Sequence, residues 1–147
     1  MIAVDSNVLV YAEAAGDDVR SERAKVVVEV ALRAEAIVPA QALTELYRVL
    51  VRKMRLPANE ARVRVARYER AAIVAPTLPS TLSAALDLSV EHGLQIFDAI
   101  ILATSVEAGC RMLLSEDMQD GFVWRGVTVA NPFAPTPHPL LVDLMRG

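Results

Sequence analysis

The chain alternates between short apolar runs and longer stretches in which apolar residues recur at helical spacing. Five short, mainly apolar runs predict buried strands: Met1–Val4, Ala36–Val38, Ile73–Ala75, Met112–Leu114 and Val127–Val129. The helical spacing predicts helices at about 21–33, 39–54, 58–71, 80–91 and 97–108. Gly93 and Gly109 follow the last two, and glycine is typical of a helix end. This alternation predicts an α/β sandwich, in which a mainly parallel sheet of about five strands is covered by helices on both faces.

The last part of the chain is expected to be irregular, because four prolines follow Asn131. Only a short segment at 140–145 is expected to dock on the rest of the protein. A length of 147 residues suits a single domain. We divide that domain into a core at 1–133 and a proline-rich tail at 134–147.

Composition narrows the class of protein. No apolar run approaches about 18 residues and Asp5 interrupts the first one, so neither a membrane span nor a signal peptide is expected. Cys110 is the only cysteine, which excludes an intrachain disulfide and favours a reducing, cytoplasmic location. No convincing Ser-His-Asp or Cys-His set and no glycine-rich phosphate loop is present.

Basic residues are concentrated in one part of an otherwise acidic chain. The net charge is −3, yet residues 48–70 contain eight basic and two acidic side chains. Such a segment can follow an RNA backbone, because phosphate neutralisation supplies most non-specific affinity. Four residues are therefore candidates for RNA binding: Arg48, Arg52, Arg55 and Arg62. The alternative is an ordinary solvated helix face.

Three aspartates are predicted to meet at one edge of the sheet. Asp5 and Asp117 directly follow predicted strands, and Asp98 opens a helix that leads into the later strand. Ligands of parallel α/β sheets bind beyond the carboxyl ends of the strands. Carboxylates about 4 Å apart repel by about 4 kcal/mol at an effective dielectric of about 20, and protonation or a cation relieves this. All-oxygen ligands favour Mg²⁺ or Mn²⁺, which suits phosphodiester hydrolysis.

Each acidic residue also has a purely structural interpretation. Asp5 can make a turn or cap a helix, Asp98 can be a helix N-cap, and Asp117 can lie in a solvated turn. Glu45 lies nearly opposite the apolar stripe of its helix, and a surface pair with Arg48 explains it equally well. Periodicity alone would not select Glu45.

Four local motifs taken together resemble those of PIN-domain ribonucleases, in order and at fitting distances. The motifs run from Met1 to Tyr11 (MIAVDSNVLVY), from Ala42 to Leu46 (ALTEL), from Phe97 to Ala103 (FDAIILA) and from Leu113 to Met118 (LLSEDM). The segment Val127–Phe133 (VTVANPF) is similar to the closing strand of the VapC-type branch of toxins. The resemblance covers the chain from Met1 to about Phe133.

This resemblance implies a PIN-like α/β/α sandwich and a Mg²⁺- or Mn²⁺-dependent endoribonuclease, usually dimeric, the toxin of a toxin–antitoxin pair. A segment of the cognate antitoxin would occupy the acidic groove. Asp5, Asp98 and Asp117 would hold the metal directly or through water. Glu45 would orient or activate the attacking water, or support the ligands.

The resemblance also assigns supporting residues. Asn7 and Ser115 match family positions that support the carboxylates by hydrogen bonding, although the family more often has threonine at the position of Ser115. The extra acids Glu116 and Asp120 leave open which residue of 116–120 is the ligand, and Asp117 is favoured by register.

Other classes of enzyme fit these residues less well. An aspartyl phosphotransferase needs a second aspartate two residues after the first, where this chain has Asn7. A receiver-type module needs a lysine late in the sheet, but Lys25 and Lys53 are both early. A non-catalytic PIN-like module that binds RNA or a partner protein remains as the alternative. The choice of RNA rather than DNA as the substrate rests on the resemblance alone.

Overall fold

The computed structural model describes residues 1–16 and 18–147, and this part of the chain forms one sheet flanked by helices. The strands are β1 (Ile2–Val4), β2 (Ile37–Pro39), β3 (Ile73–Ala75), β4 (Met112–Leu114), β5 (Val123–Trp124) and β6 (Val127–Ala130). The helices are α1 (Ser6–Glu13), α2 (Val19–Arg33), α3 (Ala40–Arg52), α4 (Ala58–Ala71), α5 (Pro79–His92), α6 (Ile96–Glu107) and α7 (Pro139–Arg146).

The sheet has the order β3-β2-β1-β4-β6-β5, with β1 near its centre. All pairs are parallel except β5 with β6. The three residues of β1 are almost fully buried, and successive side chains of a strand point to opposite faces. The sheet is therefore covered on both sides at its centre, and the predicted α/β sandwich with a mainly parallel sheet is confirmed.

The predicted strands and helices are all present, with small shifts at their ends. Gly93 has a φ of 67° and ends α5, as its position in the sequence predicted. Pro39 was expected to open a helix, but it ends β2 and α3 begins at Ala40. Proline suits the junction between β2 and α3, because its ring fixes φ near −65°, a value that both extended and helical backbone can adopt.

Two elements were not predicted. Helix α1 begins at Ser6, and the Asp5 carboxylate accepts a hydrogen bond from the backbone N–H of Ser6, so the helix cap that was one structural interpretation of Asp5 is present. The short strand β5 pairs with β6 through a tight turn at Arg125 and Gly126, both with positive φ. The sheet therefore has six strands rather than about five.

The proline-rich tail ends in a docked helix. Its helix α7 packs against α2, and Leu141 and Leu144 are buried there. The short docked segment expected at 140–145 is thus present. Among the helices described, none has the length and apolar character that crossing a membrane requires.

Candidate active site

The site lies where β1 and β4 end, because the residues that follow these adjacent strands meet there. The backbone N–H of Asp5 extends the ladder by donating to the carbonyl of Leu114 at 3.0 Å. This bond places the Asp5 side chain at the carboxyl edge of the sheet, fully buried. Its Oδ1 accepts the N–H of Ser6 at 2.6 Å, and its Oδ2 accepts the hydroxyl of Ser115 at 2.7 Å.

Asn7 connects two of the candidate carboxylates. Its Nδ2 donates to Asp5 Oδ2 at 3.0 Å and to Asp117 Oδ2 at 3.1 Å, and it also contacts Ser115 Oγ at 3.2 Å. Its Oδ1 accepts the N–H of Glu116 at 3.0 Å. One amide therefore holds the end of β1 and the loop after β4 together, and it brings the carboxylates of Asp5 and Asp117 to the same nitrogen.

Glu45 reaches the site from α3, which packs against α1. Its Oε2 accepts a hydrogen bond from Ser6 Oγ at 3.2 Å, and the same hydroxyl lies 3.2 Å from Asp5 Oδ1. Its Oε1 accepts one from Gln41 Nε2 at 3.1 Å. In the part of the chain that the structure describes, Glu45 forms no ion pair with Arg48.

Two of these polar contacts were missed by the analysis of the sequence. Ser6 bridges Asp5 and Glu45, and it was not among the candidate site residues. Gln41 precedes Glu45 by four residues and so lies on the same helix face. That spacing is the signal by which Gln41 could have been found once Glu45 was chosen.

Asp98 approaches from the first turn of α6. The helix is capped by Gln95, whose Oε1 accepts the N–H groups of Phe97 and Asp98 at 2.8 and 3.1 Å. Asp98 is therefore not the N-cap, which leaves its carboxylate available to the site. Burial, together with the smaller effects of the charges of Asp117 and Glu45, raises the pKa of Asp98 from 3.8 to about 6.

Burial also raises the pKa of Asp5, from 3.8 to about 7. The hydrogen bond from Ser115 lowers this pKa, whereas the charges of Asp98 and Glu45 raise it. Both shifts arise from desolvation and neighbouring carboxylates, so the site concentrates negative charge. A divalent cation would relieve this repulsion, and carboxylate oxygens are the ligands that Mg²⁺ and Mn²⁺ prefer.

The carboxylates are not yet gathered around one point. Within residues 1–16 and 18–147, no group of three acidic, histidine or cysteine side chains stands in a metal-binding arrangement. Asp117 is exposed and Asp98 is half-buried, so both have room to rotate, whereas Asp5 is held by its capping bonds. The chemical type of the donors fits a hard cation, whereas the described side chains do not converge on one position.

The other acids near Asp117 have different partners. Glu116 forms an ion pair with Arg20, whose guanidinium also lies over the ring of Tyr11. The carboxylate of Asp120 accepts the backbone N–H of Asn131 at 2.8 Å. Of the three acids in 116–120, only Asp117 has its carboxylate hydrogen-bonded to the amide of Asn7, whereas Glu116 contacts Asn7 through its backbone N–H. The choice of Asp117 as the ligand stays a prediction.

The structure divides the basic segment into two groups. Three arginines of α4 have acidic partners: Arg62 pairs with Glu69 at 2.7 Å, Arg64 with Glu60 at 2.8 Å, and Arg64 and Arg67 with Glu13 at 3.2 and 3.5 Å. Arg48 and Arg52 instead line a groove on α3 together with Glu45 and Lys53. Arg55 follows α3 and is not part of this groove. Of the four candidates for RNA binding, two therefore lie beside the site.

The sequence pattern of the PIN domain matches residues 2–119. This match spans most of the chain and contains all four carboxylates, and the protein therefore belongs to the PIN domain family. No curated protein sequence gives a significant match.

Solved structures with a similar fold are bacterial toxins and toxin–antitoxin complexes. The chain is similar to VapC20 of Mycobacterium tuberculosis, a sarcin–ricin loop cleaving toxin, with a TM-score of 0.61 and 21% identity over 77% of this chain and 87% of that one. It is also similar to a toxin–antitoxin complex from Klebsiella pneumoniae, with a TM-score of 0.64 and 20% identity over 90% of this chain and 98% of that one. A third similar structure is FitAcB from Neisseria gonorrhoeae, with a TM-score of 0.62 and 18% identity over 90% of this chain and 99% of that one. At these identities the likeness shows the fold.

Proposed function

We propose that this protein is a metal-dependent endoribonuclease and the toxin of a toxin–antitoxin pair. The observation that carries the proposal is the group of four acidic side chains at one edge of the sheet, where burial and mutual repulsion raise the pKa of Asp5 and Asp98. Family membership supports the same conclusion, because the four acids stand in the motifs through which the chain resembles PIN-domain ribonucleases.

In this proposal Asp5, Asp98 and Asp117 hold Mg²⁺ or Mn²⁺. The bound ion supplies charge neutralisation at a phosphodiester and an activated water. Asp5 is the fixed point of the site, since its two oxygens are held by the Ser6 N–H and the Ser115 hydroxyl. Asn7 keeps Asp117 next to it.

Glu45 orients the attacking water and accepts its proton. Its carboxylate is held from two sides by Ser6 and Gln41, which restricts its rotation as a general base requires. The proton then leaves through the exposed mouth of the site. Attack of the water forms a new P–O bond while the bond from phosphorus to the leaving sugar oxygen breaks, and that oxygen takes a proton from solvent water. The step needs no covalent intermediate with the protein.

The biological role is proposed from the named relatives. VapC20 cleaves the sarcin–ricin loop, which favours RNA over DNA as the substrate here, and the Klebsiella structure contains an antitoxin. We expect a cognate antitoxin that inserts a segment into the acidic groove, a homodimer, and a cytoplasmic location. A non-catalytic PIN-like module that binds RNA or a partner protein is the alternative.

The test is cleavage of a mixed, structured RNA by the purified protein with Mg²⁺, with Mn²⁺ or with EDTA. Cleavage is expected with either metal and not with EDTA. Asp117→Asn is expected to lower the rate by about a hundredfold or more, because losing one ligand costs several kcal/mol of transition-state stabilisation. Asp120→Asn is the matched control, the same substitution three residues away, and is expected to cut at the normal rate.

The outcomes separate the two functions. Metal-dependent cutting that Asp117→Asn loses and Asp120→Asn retains supports the nuclease. RNA binding without cutting, with antitoxin removed and several structured RNAs tried, supports the non-catalytic module. Equal activity of the two variants would remove Asp117 from the site.

A further inference from the structure

Helix α3 carries the site residue Glu45 and continues into an exposed basic face. Arg48, Val49, Arg52 and Lys53 follow Glu45 at intervals of three and four residues, so all five side chains lie on one side of the helix. They line a single groove of about 460 Å³. The opposite side of α3 packs into the core through Leu43, Leu46 and Leu50, among others, so the groove opens to solvent.

No acidic side chain in the described part of the chain holds the cations of this groove. Among residues 1–16 and 18–147, Arg48, Arg52 and Lys53 form no ion pair, whereas Arg62 and Arg64 on the next helix are paired. Arg48 and Arg52 are separated by four residues on a helix, a spacing at which like charges repel by about 0.2–0.5 kcal/mol. A cluster that costs some stability and contacts no partner is typical of a surface kept for a ligand.

The groove also begins at the candidate site. With a rise of about 1.5 Å per residue, Arg48 and Arg52 lie about 4.5 and 10 Å beyond Glu45 along the helix axis. A single-stranded nucleic acid with one phosphate at the carboxylates therefore extends its next phosphates along α3. The acidic site repels such a polyanion, and positive charge immediately beside the site offsets this repulsion.

From this arrangement we propose that Arg48, Arg52 and Lys53 form a subsite that binds the RNA backbone on one side of the cleaved phosphate. The proposal rests on the proposed function and adds the helix along which the substrate lies. The two guanidinium groups can each bind a phosphate through paired N–H donors, and Lys53 adds a point charge. Arg55 and Arg62, also candidates from the sequence, lie outside this subsite.

The chemistry of the groove favours RNA over an acidic segment of a protein. Val49 is the only apolar side chain among its lining residues. Protein segments that dock in grooves generally rely on buried apolar or aromatic anchors, whereas single-stranded RNA can be held by backbone charge alone. A groove with three cations and one valine has the donors that a row of phosphates requires.

The experiment measures RNA binding by protein that cannot cut. Asp5→Asn is the background in every sample, and a fluorescently labelled, mixed-sequence single-stranded RNA is titrated at constant Mg²⁺ and several salt concentrations. The test variant is R48Q/R52Q. The matched control is R33Q/R70Q, which removes the same charge at exposed positions close before β2 and β3, at the opposite edge of the sheet.

R48Q/R52Q is expected to reduce the slope of log K against log salt by about 1.4, because each phosphate contact on a single strand contributes about 0.7. The affinity at moderate salt should fall on the order of tenfold, and R33Q/R70Q should bind like the background protein. Equal losses in both variants would mean that only net charge matters, and no loss in R48Q/R52Q would mean that the groove is not used. Either result overturns the subsite.

Two further measurements keep this test separate from the nuclease proposal and from a protein ligand. Cleavage by protein with an intact Asp5, together with unchanged binding by R48Q/R52Q, refutes the subsite and leaves the nuclease standing. Poly-glutamate is titrated in parallel. If R48Q/R52Q weakens binding of poly-glutamate but not of RNA, the groove accepts an acidic protein segment and the proposal is wrong.

Discussion

Replacing Asp5 by asparagine tests whether the site stores unfavourable charge that a cation would relieve. Asp5 is fully buried, and its pKa is about 7 in the folded protein against 3.8 as its ordinary value. The folded state therefore binds more protons than the unfolded chain between these values. The contribution of Asp5 to stability falls as the pH rises from about 4 to about 7 and is level above that.

The magnitude follows from the shift. One pKa unit corresponds to about 1.4 kcal/mol, and the folded protein loses its remaining proton from Asp5 between about pH 5.5 and 8. Over that interval Asp5 alone lowers the free energy of unfolding by about 2 kcal/mol. For a chain of this size such a loss lowers the Tm by about 4–8 °C.

The assay is urea or thermal unfolding in EDTA at about pH 5.5 and about pH 8, the interval in which Asp5 titrates. The metal-free protein is expected to lose about 2 kcal/mol more than Asp5→Asn across this range. Asp87→Asn, a substitution of an exposed aspartate on α5, is expected to keep the profile of the unmodified protein. Saturating Mg²⁺ should remove the loss from the unmodified protein and not alter Asp5→Asn, because a bound cation stabilises the charged carboxylate.

Parallel stability profiles of the unmodified protein and Asp5→Asn in EDTA would contradict a raised pKa at Asp5. That result would mean that Asp5 titrates near its ordinary pKa, and that other interactions offset the cost of burying its charged carboxylate at the end of β1. Parallel profiles with a normal response to Mg²⁺ would restrict the error to the pKa, since the cation would still bind.

Two further predictions concern the side chains that hold the carboxylates. Asn7→Ala removes an amide that donates to both Asp5 and Asp117. The free energy of unfolding in EDTA should therefore fall by about 1–3 kcal/mol at about pH 8, and by less at about pH 5.5. Equal stability of the variant and the unmodified protein at both pH values would contradict this prediction. Glu45→Gln should lower the rate of RNA cleavage by about 10²–10⁴-fold while Mg²⁺ still raises the Tm, and loss of that Tm rise would reassign Glu45 as a metal ligand.

Strands β1, β2, β4 and β6 could be predicted because each is a short, mainly apolar run that is largely buried. Strand β3 could be predicted from its apolar run alone, since Ile73 and Val74 are exposed. The same signal placed Asp5 and Asp117 at one edge of the sheet, since both follow strands that turned out to be neighbours. Helix α1 could not be predicted, because only eight residues form it and they start with the turn-prone Ser6 and Asn7. The two-residue strand β5 depends on a turn with positive φ at Arg125, which composition does not indicate.

The contact of Glu45 with Ser6 could not be predicted because helix α1 was not predicted. Glu45 lies away from the apolar stripe of α3, so periodicity placed it on the surface and only the resemblance to PIN domains selected it. In the structure it contacts Ser6, the first residue of α1. A contact between two helices cannot be anticipated when one of them is not foreseen.

The central position of β1 has a consequence for how the protein is made. β1 is synthesised long before its neighbour β4 and the Ser115 hydroxyl that holds Asp5, which lie 110 residues later in the chain. A nascent chain on the ribosome has Asp5 and Glu45 long before it has Asp117. The four acids therefore come together only after β4 has left the ribosome and paired with β1, so prematurely terminated translation products that lack β4 contain no complete site.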